Sequence, residues 1–234
     1  MTEAALTAQN WEALLRLELR RTADRTRLVP LERYGPLSVQ RPFYPEPECC
    51  HVYLLHPPGG VVGGDRLDLR INLTSGAQGL FTMPGAAKYY LSAGATASVD
   101  QQYKVDADAG LEFLPQENIY FPGAQVHATT SIEVEPGGRV LLWEKHCFGR
   151  PANDEFFDIG RLRSRIELRS AGRLIYTEIQ RIDAAEIERG SGFRGQPVSG
   201  TLLAYGAEFD DDLVDVLRQL TPERGVAGIS RLQP

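Results

Sequence analysis

Apolar and polar residues alternate with a period of two along most of this chain, and that alternation limits what it can fold into. In residues 66–73, Leu67, Leu69 and Ile71 share one parity while polar residues occupy the other. Successive side chains of a strand point to opposite faces, so the pattern is typical of a half-buried β-strand. On this basis we predict strands at 13–21, 50–55, 66–73, 78–83, 96–105, 125–134, 139–148, 161–168 and 173–182.

Turn residues separate these strands at short intervals. Many short strands with turns between them predict an all-β fold, either a sandwich, a barrel or a β-helix-like stack. One helix is predicted at 210–220, because its apolar residues recur three or four positions apart. Those residues are Leu213, Val216, Leu217 and Leu220. No linker or low-complexity tract interrupts the sequence, so we expect a single domain over residues 1–234.

The overall composition excludes several classes of protein. The chain has 25 Lys and Arg against 31 Asp and Glu, a net charge of −6, and no basic stripe, so we expect no nucleic-acid partner. No apolar run is long enough to span a bilayer, so we expect no membrane partner either. Cys49 and Cys50 are adjacent among three cysteines, which is a poor disulfide framework and favours a reducing, cytoplasmic location.

The segment HPPGGVVGGD at residues 56–65 predicts an unusual turn, and TMPGAAKYY at 82–90 follows it with Lys88. The prolines after His56 force an extended or turning backbone, and four glycines allow positive φ or a close approach of the chain. Those glycines are Gly59, Gly60, Gly63 and Gly64. Asp65 then places a carboxylate at the start of a strand. The loop lacks a Gly-Lys-Ser/Thr ending and leads into a strand, so we expect no nucleotide on this chain.

A weak metal half-site is one interpretation of Cys49 and His51. Strand alternation puts the two side chains on the same face, at a spacing that could hold a cation. No second half-site of the CxxC or HxH type accompanies them. The alternative is the start of a buried strand in which cysteine acts as a small apolar residue.

Two acids fall on the apolar parity of predicted strands. Glu144 has the parity of Phe148, and Glu178 has that of Ile182. A buried carboxylate is costly unless it has a partner. One arrangement is an internal salt bridge, for which the available partners are Arg150, Arg165 and Arg181. The other is a water-filled path lined by acids, where a divalent cation binds weakly through oxygen.

Several motifs, in a fixed order along nearly the whole chain, are similar to those of the urease accessory protein family UreD, also called UreH. They are GPLSVQRPFYPE (35–46), YLLHPPGGVVGGDRL (53–67), TMPGAAKYY (82–90), LEFLPQENIYFPGA (111–124), WE (143–144), GRP (149–151) and GTLLAY (200–205). The resemblance implies stacked sheets with a β-helix-like course and one or two short helices.

The resemblance also implies a scaffold rather than an enzyme. Members join UreF and, through UreF, the GTPase UreG on urease apoprotein, with dimers of UreD–UreF pairs. Nickel(II) would pass transiently through an internal tunnel to the urease active site, and GTP would bind UreG rather than this chain. The tunnel-lining acids implied by the resemblance are Asp65, Glu144 and Glu178.

Members continue beyond the point that corresponds to GISRLQP into a further strand and helix, so we expect this chain to lack that tail. Two alternatives to the nickel tunnel stay open. One is a purely structural adaptor without a nickel path. The other is an independent hydrolase that uses Asp65 with His56, although no nucleophile elbow or triad pattern supports it.

Overall fold

The computed structural model describes residues 10–206, 211–220 and 225–232, and β-strands dominate it. Over these residues the chain forms 16 strands, two α-helices and one 3-10 turn. The first eight strands are β1 (Glu12–Arg21), β2 (Thr26–Tyr34), β3 (Ser38–Val39), β4 (Cys49–Leu55), β5 (Arg66–Leu73), β6 (Gln78–Thr82), β7 (Ala87–Tyr89) and β8 (Ala97–Val105). The others are β9 (Gly110–Phe113), β10 (Asn118–Tyr120), β11 (Gln125–Val134), β12 (Arg139–Arg150), β13 (Glu155–Phe156), β14 (Arg161–Ser170), β15 (Arg173–Ile182) and β16 (Val198–Tyr205).

The strands form two stacked sheets. Sheet one has the order β2-β1-β5-β8-β11-β14-β15, with five parallel strands in the centre and an antiparallel strand at each end. Sheet two runs β3-β4-β6-β9-β12-β10-β7, and all of its pairs are parallel except β3 with β4. The short β13 and the longer β16 also pair with β12, both antiparallel.

The chain alternates between the two sheets as it advances, in the order β1, β4, β5, β6, β8, β9, β11, β12 and β14. Parallel neighbours need a crossover connection, and here each crossover is itself a strand of the opposite sheet. The result is a β-solenoid of about four turns. The predicted all-β, β-helix-like fold is therefore confirmed, and the sandwich and barrel alternatives are wrong.

All nine predicted strands are present, with ends that differ by two residues at most. The strands missed from the sequence are short or irregular. β2 contains Pro30 and is mostly exposed, so it has no clear alternation of burial. β7, β9 and β10 have only three or four residues each, and β16 alternates between exposed and half-buried positions without a fully buried one.

Two helices follow the strands. α1 (Ala184–Glu188) was not predicted; Asp183 begins it by accepting a hydrogen bond from the Glu186 N–H at 3.1 Å. α2 (Asp211–Gln219) confirms the predicted helix over the residues that the structure describes. Val214 is its buried residue, whereas the predicted apolar face is exposed at Leu213, Val216 and Leu220. Neither helix in the described ranges combines the length and apolar character that a membrane crossing requires.

The space between the sheets contains two separate apolar clusters. The large cluster is built around Leu17, Ile71, Phe81, Leu111 and Leu142. The small cluster is built around Tyr89, Val99, Tyr120, Phe148 and Leu162. On β12 the inward residues between Leu142 and Phe148 are Glu144 and His146, so polar side chains separate the two clusters.

Sheet two is interrupted beside this boundary. Residues 83–86 separate β6 from β7, and residues 114–117 separate β9 from β10, while β12 continues unbroken past both gaps. Each gap contains a proline, which has no N–H for a ladder and is unfavourable inside a sheet. The indole Nε1 of Trp143 donates to the carbonyl oxygen of Pro115 at 2.7 Å. A side chain of β12 therefore binds the backbone of the segment 114–117.

Candidate functional site

Glu144 lies at the centre of the boundary between the two clusters. Alternation along β12 turns its side chain inward, where the residue is 8% exposed. The hydroxyl of Thr130 donates to Oε1 at 2.7 Å, and that of Ser164 donates to Oε2 at 3.4 Å. His146 Nε2 lies 3.4 Å from the same Oε2. The carboxylate is therefore partnered by two hydroxyls and an imidazole.

Stacked aromatic rings close one side of this group. The Tyr120 hydroxyl lies 3.0 Å from Nδ1 of His146, and its ring stacks on those of Tyr89 and Phe148 at 4.8 and 5.6 Å. Burial raises the pKa of Tyr120 well above 10, and the nearby tyrosine Tyr89 and the Glu144 carboxylate raise it further. The tyrosine stays neutral, so it can exchange a hydrogen bond with the imidazole without adding charge.

Glu178 extends the polar boundary to the edge strand β15. Its two carboxylate oxygens both accept from the Thr201 hydroxyl, at 3.1 Å each, and they also accept from Tyr176 and Gln180. Thr201 on β16 lies opposite Glu144 on β12 in the register of the two strands. Because the Thr201 hydroxyl also contacts Glu178, this residue connects the surroundings of the two acids. Nearby, Gln180 Oε1 and Ser199 Oγ are buried without a hydrogen-bond partner.

We call these inward side chains between the two apolar clusters the polar layer. Five strands, β8, β11, β12, β14 and β15, each contribute an inward residue that lies between a residue packed in the large cluster and one packed in the small cluster. The strands β10 and β16 contribute further residues to the layer. Its members are Gln101, Asn118, Thr130, Glu144, His146, Ser164, Glu178, Gln180, Ser199 and Thr201.

The salt-bridge alternative is wrong for all three of its arginines, since Arg181 is exposed on the outer face of β15. Arg150 pairs with Glu155 at 2.6 Å, and Arg165 pairs with Glu167. Among the described residues, no arginine reaches Glu144 or Glu178. Hydroxyl and amide groups, and the imidazole of His146, contact these acids instead.

Asp65 occupies a different setting, in the glycine-rich turn. The residue is 1% exposed, and its carboxylate accepts the backbone N–H groups of Trp11 at 2.8 Å and Val62 at 2.9 Å. The turn is tight: a Cβ on Gly63 would lie 2.4 Å from the carbonyl oxygen of Ala95. Asp65 thus braces the turn against β1, and its predicted place in a nickel tunnel stays a prediction.

The glycine-rich turn and the segment 83–89 meet around a cavity of about 550 Å³. His56, Gly59 and Lys88 line it on one side, and Gln101 and Asn118 of the polar layer line it on another. Gln101 is the register neighbour of Thr130, and Asn118 that of His146. The cavity therefore borders the polar layer directly. Burial lowers the pKa of His56, although Asp65 opposes this, and its Nε2 atom is buried without a partner.

Comparison with known proteins identifies the family. A sequence profile described as UreD urease accessory protein matches residues 12–234. The chain belongs to the UreD family of urease accessory proteins. It is 42% identical to the urease accessory protein UreD of Klebsiella aerogenes over 223 residues, which cover 95% of this chain and 81% of the relative. It is also 42% identical to UreD of Aliivibrio fischeri strain ES114 over 224 residues, covering 95% and 77%. For UreD of Pseudomonas entomophila strain L48 the values are 43% over 224 residues, covering 96% and 79%.

The candidate metal residues of this UreD chain lie away from the polar layer. Cys49 and His51 project from the outer face of sheet two, whereas Cys50 points inward and lies 3.6 Å from the Tyr44 hydroxyl. The predicted shared face of Cys49 and His51 is confirmed. Glu46, which the sequence did not single out, joins them: the ligand atoms of these three residues lie within 4.8 Å of one another.

Sequence reasoning also missed most of the polar layer. Thr130 and His146 have the inward parity of strands that were predicted correctly, and Ser164 has that of β14. The sequence signal that could have revealed these residues is that polar residues occur at the same level on the inward faces of successive strands. Detecting it needs the register between strands, because only the register shows that these residues are at the same level.

Proposed function

We propose that this chain acts in urease maturation as a scaffold that conducts nickel(II) along the polar layer to the urease active site. The observation that carries the proposal is the acid-containing polar layer between two apolar clusters, which borders a cavity at Gln101 and Asn118 and includes Glu178 on the edge strand β15. In this proposal the chain binds UreF directly, reaches UreG through UreF, and docks on urease apoprotein in the cytoplasm as a dimer of UreD–UreF pairs.

The chemistry of the layer suits transient passage of a dication. A carboxylate beside hydroxyl and amide groups lowers the electrostatic cost of a hydrated cation inside a protein. Conduction also requires that each position bind weakly, so that the ion can leave again. The layer offers mainly oxygen ligands and one imidazole, at His146, whereas sets of soft thiolate ligands hold such ions more firmly.

The route follows the order of contacts in the structure. An ion in the cavity meets Gln101 and Asn118, whose register neighbours Thr130 and His146 both lie within 3.4 Å of Glu144. From Glu144 the polar path continues over Thr201 to Glu178. Nickel is the cargo of this path and leaves with the urease.

Isosteric replacement of the two acids tests the proposal. Glu144→Gln and Glu178→Gln keep the side-chain volume but remove the charge that favours a cation. We expect each variant to assemble with UreF, UreG and urease as the parent does, and the purified urease to contain several-fold less nickel by elemental analysis. Glu167→Gln is the matched control, since Glu167 faces the outside of sheet one.

The same experiment separates conduction from the adaptor alternative. Unchanged nickel content in both variants, with intact assembly, would show that the chain is an adaptor and that nickel travels elsewhere. Assembly itself is tested by co-expression with UreF and size-exclusion chromatography with light scattering. A stable complex with equal numbers of the two chains is the expected result, and failure to co-elute would contradict the proposed direct contact.

A further inference from the structure

A second group of metal-ligating side chains lies on the outer face of sheet two, apart from the polar layer. It consists of Glu46, Cys49 and His51, and the carboxylate oxygen, thiol sulfur and ring nitrogen that they offer lie within 4.8 Å of one another. His51 Nε2 is 3.9 Å from Glu46 Oε2, and this nitrogen is buried without a hydrogen-bond partner. A buried ring nitrogen with no partner is an unusual cost for a folded protein.

The local backbone holds the three residues together. The Cys49 N–H donates to the Glu46 carbonyl oxygen at 3.2 Å, which closes the turn before β4. Phe43 and His51 exchange two backbone hydrogen bonds at 3.0 and 3.1 Å, and their rings lie 5.4 Å apart. Phe43 also stacks on Tyr53 at 5.2 Å. The imidazole is therefore fixed in place, and Glu46 is brought over it by the turn.

We propose that Glu46, Cys49 and His51 form a binding site for a borderline divalent cation of the first transition series, such as Ni²⁺, Zn²⁺ or Co²⁺. Thiolate, imidazole and carboxylate are the ligand types that such ions accept together. Water completes the coordination. The site is distinct from the polar layer and does not depend on the proposed conduction of nickel.

The geometry requires only a small movement. Bond lengths of about 2.0–2.3 Å to nitrogen, oxygen and sulfur place ligand atoms about 3.3–3.8 Å apart in a tetrahedral site. The ligand atoms, now within 4.8 Å of one another, must approach by about 1.0–1.5 Å at most. The side chain of Glu46 is 73% exposed and free to make that movement, whereas Phe43 holds the ring of His51.

The electrostatic surroundings favour a cation. The carboxylates of Glu112 and Glu46 lie close enough to Cys49 to interact with it electrostatically. On binding, the S–H proton of Cys49 passes to solvent and the sulfur forms a bond to the metal. Glu112 lies on β9 on the same outer face, so its charge also attracts the ion.

Cobalt(II) binding to the purified full chain tests the site. We expect the wild-type protein to show the near-ultraviolet sulfur-to-cobalt charge-transfer band with one ion per chain. Cys49→Ala should lose the band, and His51→Gln and Glu46→Gln should weaken binding by about 10–100-fold. Cys147→Ala is the matched control, because Cys147 is a half-buried free thiol on the same face of the same sheet. A band that survives in Cys49→Ala, or that disappears in Cys147→Ala, would overturn the proposal.

A measurement on the unmodified chain guards against variants that fail to fold. Iodoacetamide labelling with and without Zn²⁺, followed by peptide mass spectrometry, compares Cys49 with Cys147 in one sample. Protection of Cys49 alone is the expected result, and equal labelling of Cys49 with and without the metal would refute the site. Glu144→Gln should keep the cobalt band, so loss of nickel delivery and loss of this site are separate outcomes.

Discussion

At the scale of single residues, the three acids that the sequence singles out have different surroundings. Glu144 and Glu178 accept from side-chain groups in the polar layer, whereas Asp65 accepts from two backbone N–H groups in a turn. Hydroxyls and amides can turn toward a passing cation, but backbone donors in a closed turn cannot. The contacts therefore support a structural role for Asp65, and they suit the place of Glu144 and Glu178 in the proposed path.

This difference predicts that Asp65→Ala unfolds more easily. The substitution leaves the partly buried N–H groups of Trp11 and Val62 without their acceptor, and each unpaired donor costs about 1–3 kcal/mol where water does not replace the carboxylate. We expect a loss of about 2–4 kcal/mol in the free energy of unfolding by urea titration. Asp68→Ala is the control; its partly exposed ion pair with Arg70 is worth only about 0–1 kcal/mol. Equal losses in the two variants would contradict the bracing role of Asp65.

At the scale of elements, the long strands of the solenoid were predictable and the interruptions between them were not. β5 and β11 match their predicted bounds because each alternates without a break between an inner and an outer face. β15 matches its bounds as well, although a shift in its register with β14 interrupts the alternation near its start. β7 and β10 are too short for a period to show. β10 forms because β12 supplies its partner, and β7 forms because β10 does. A local pattern cannot report such a distant partner.

The candidate site was likewise predictable from the sequence only in part. Alternation placed Glu144 inward, and it put Cys49 and His51 on one face. The neighbours of each came from other elements: Thr130 from β11, and Glu46 from a turn without regular structure. The turn at 56–65 was recognisable from its glycines and prolines, but not its hydrogen bonds to β1 or its position beside the cavity.

The packing of that turn makes a second prediction. A Cβ at Gly63 would lie 2.1 Å from the Ser92 hydroxyl and 2.4 Å from a backbone oxygen, so the chain must shift to admit it. We expect Gly63→Ala to lower the midpoint of thermal unfolding and to cost about 1–3 kcal/mol. Gly85→Ala, where nothing lies within 4 Å of the added carbon, should change stability by less than about 1 kcal/mol. The reverse order of the two losses would show that the turn is more adaptable than its contacts indicate.

At the scale of the whole molecule, buried tyrosines make stability fall at high pH. Burial, with a smaller contribution from Glu144, raises the pKa of Tyr103 well above 10 and raises that of Tyr89 as well. Above pH 10 the unfolded chain releases these protons while the folded chain keeps them, so the free energy of unfolding decreases as pH rises. Each such group contributes a slope of up to about 1.4 kcal/mol per pH unit.

Urea titrations between pH 9 and pH 11.5 check this dependence. Tyr103→Phe removes one of the buried hydroxyls, so its stability should fall less steeply with pH than that of the parent chain. Tyr34→Phe removes an exposed hydroxyl on β2 and should leave the slope unchanged. A slope that is the same in all three proteins would rule out Tyr103 as a source of the alkaline loss.

The antiparallel strand β2 affects whether copies of this molecule can associate end to end. A stack of parallel rungs presents an open ladder at each end, and a second copy could add a rung to it, as in a growing fibril. β2 covers the ladder of β1, and it carries Pro30, which cannot donate to a further strand, together with the charged residues Glu32 and Arg33. The repeat therefore terminates itself at this edge of sheet one, where β2 leaves no regular ladder on which a second copy could continue the stack.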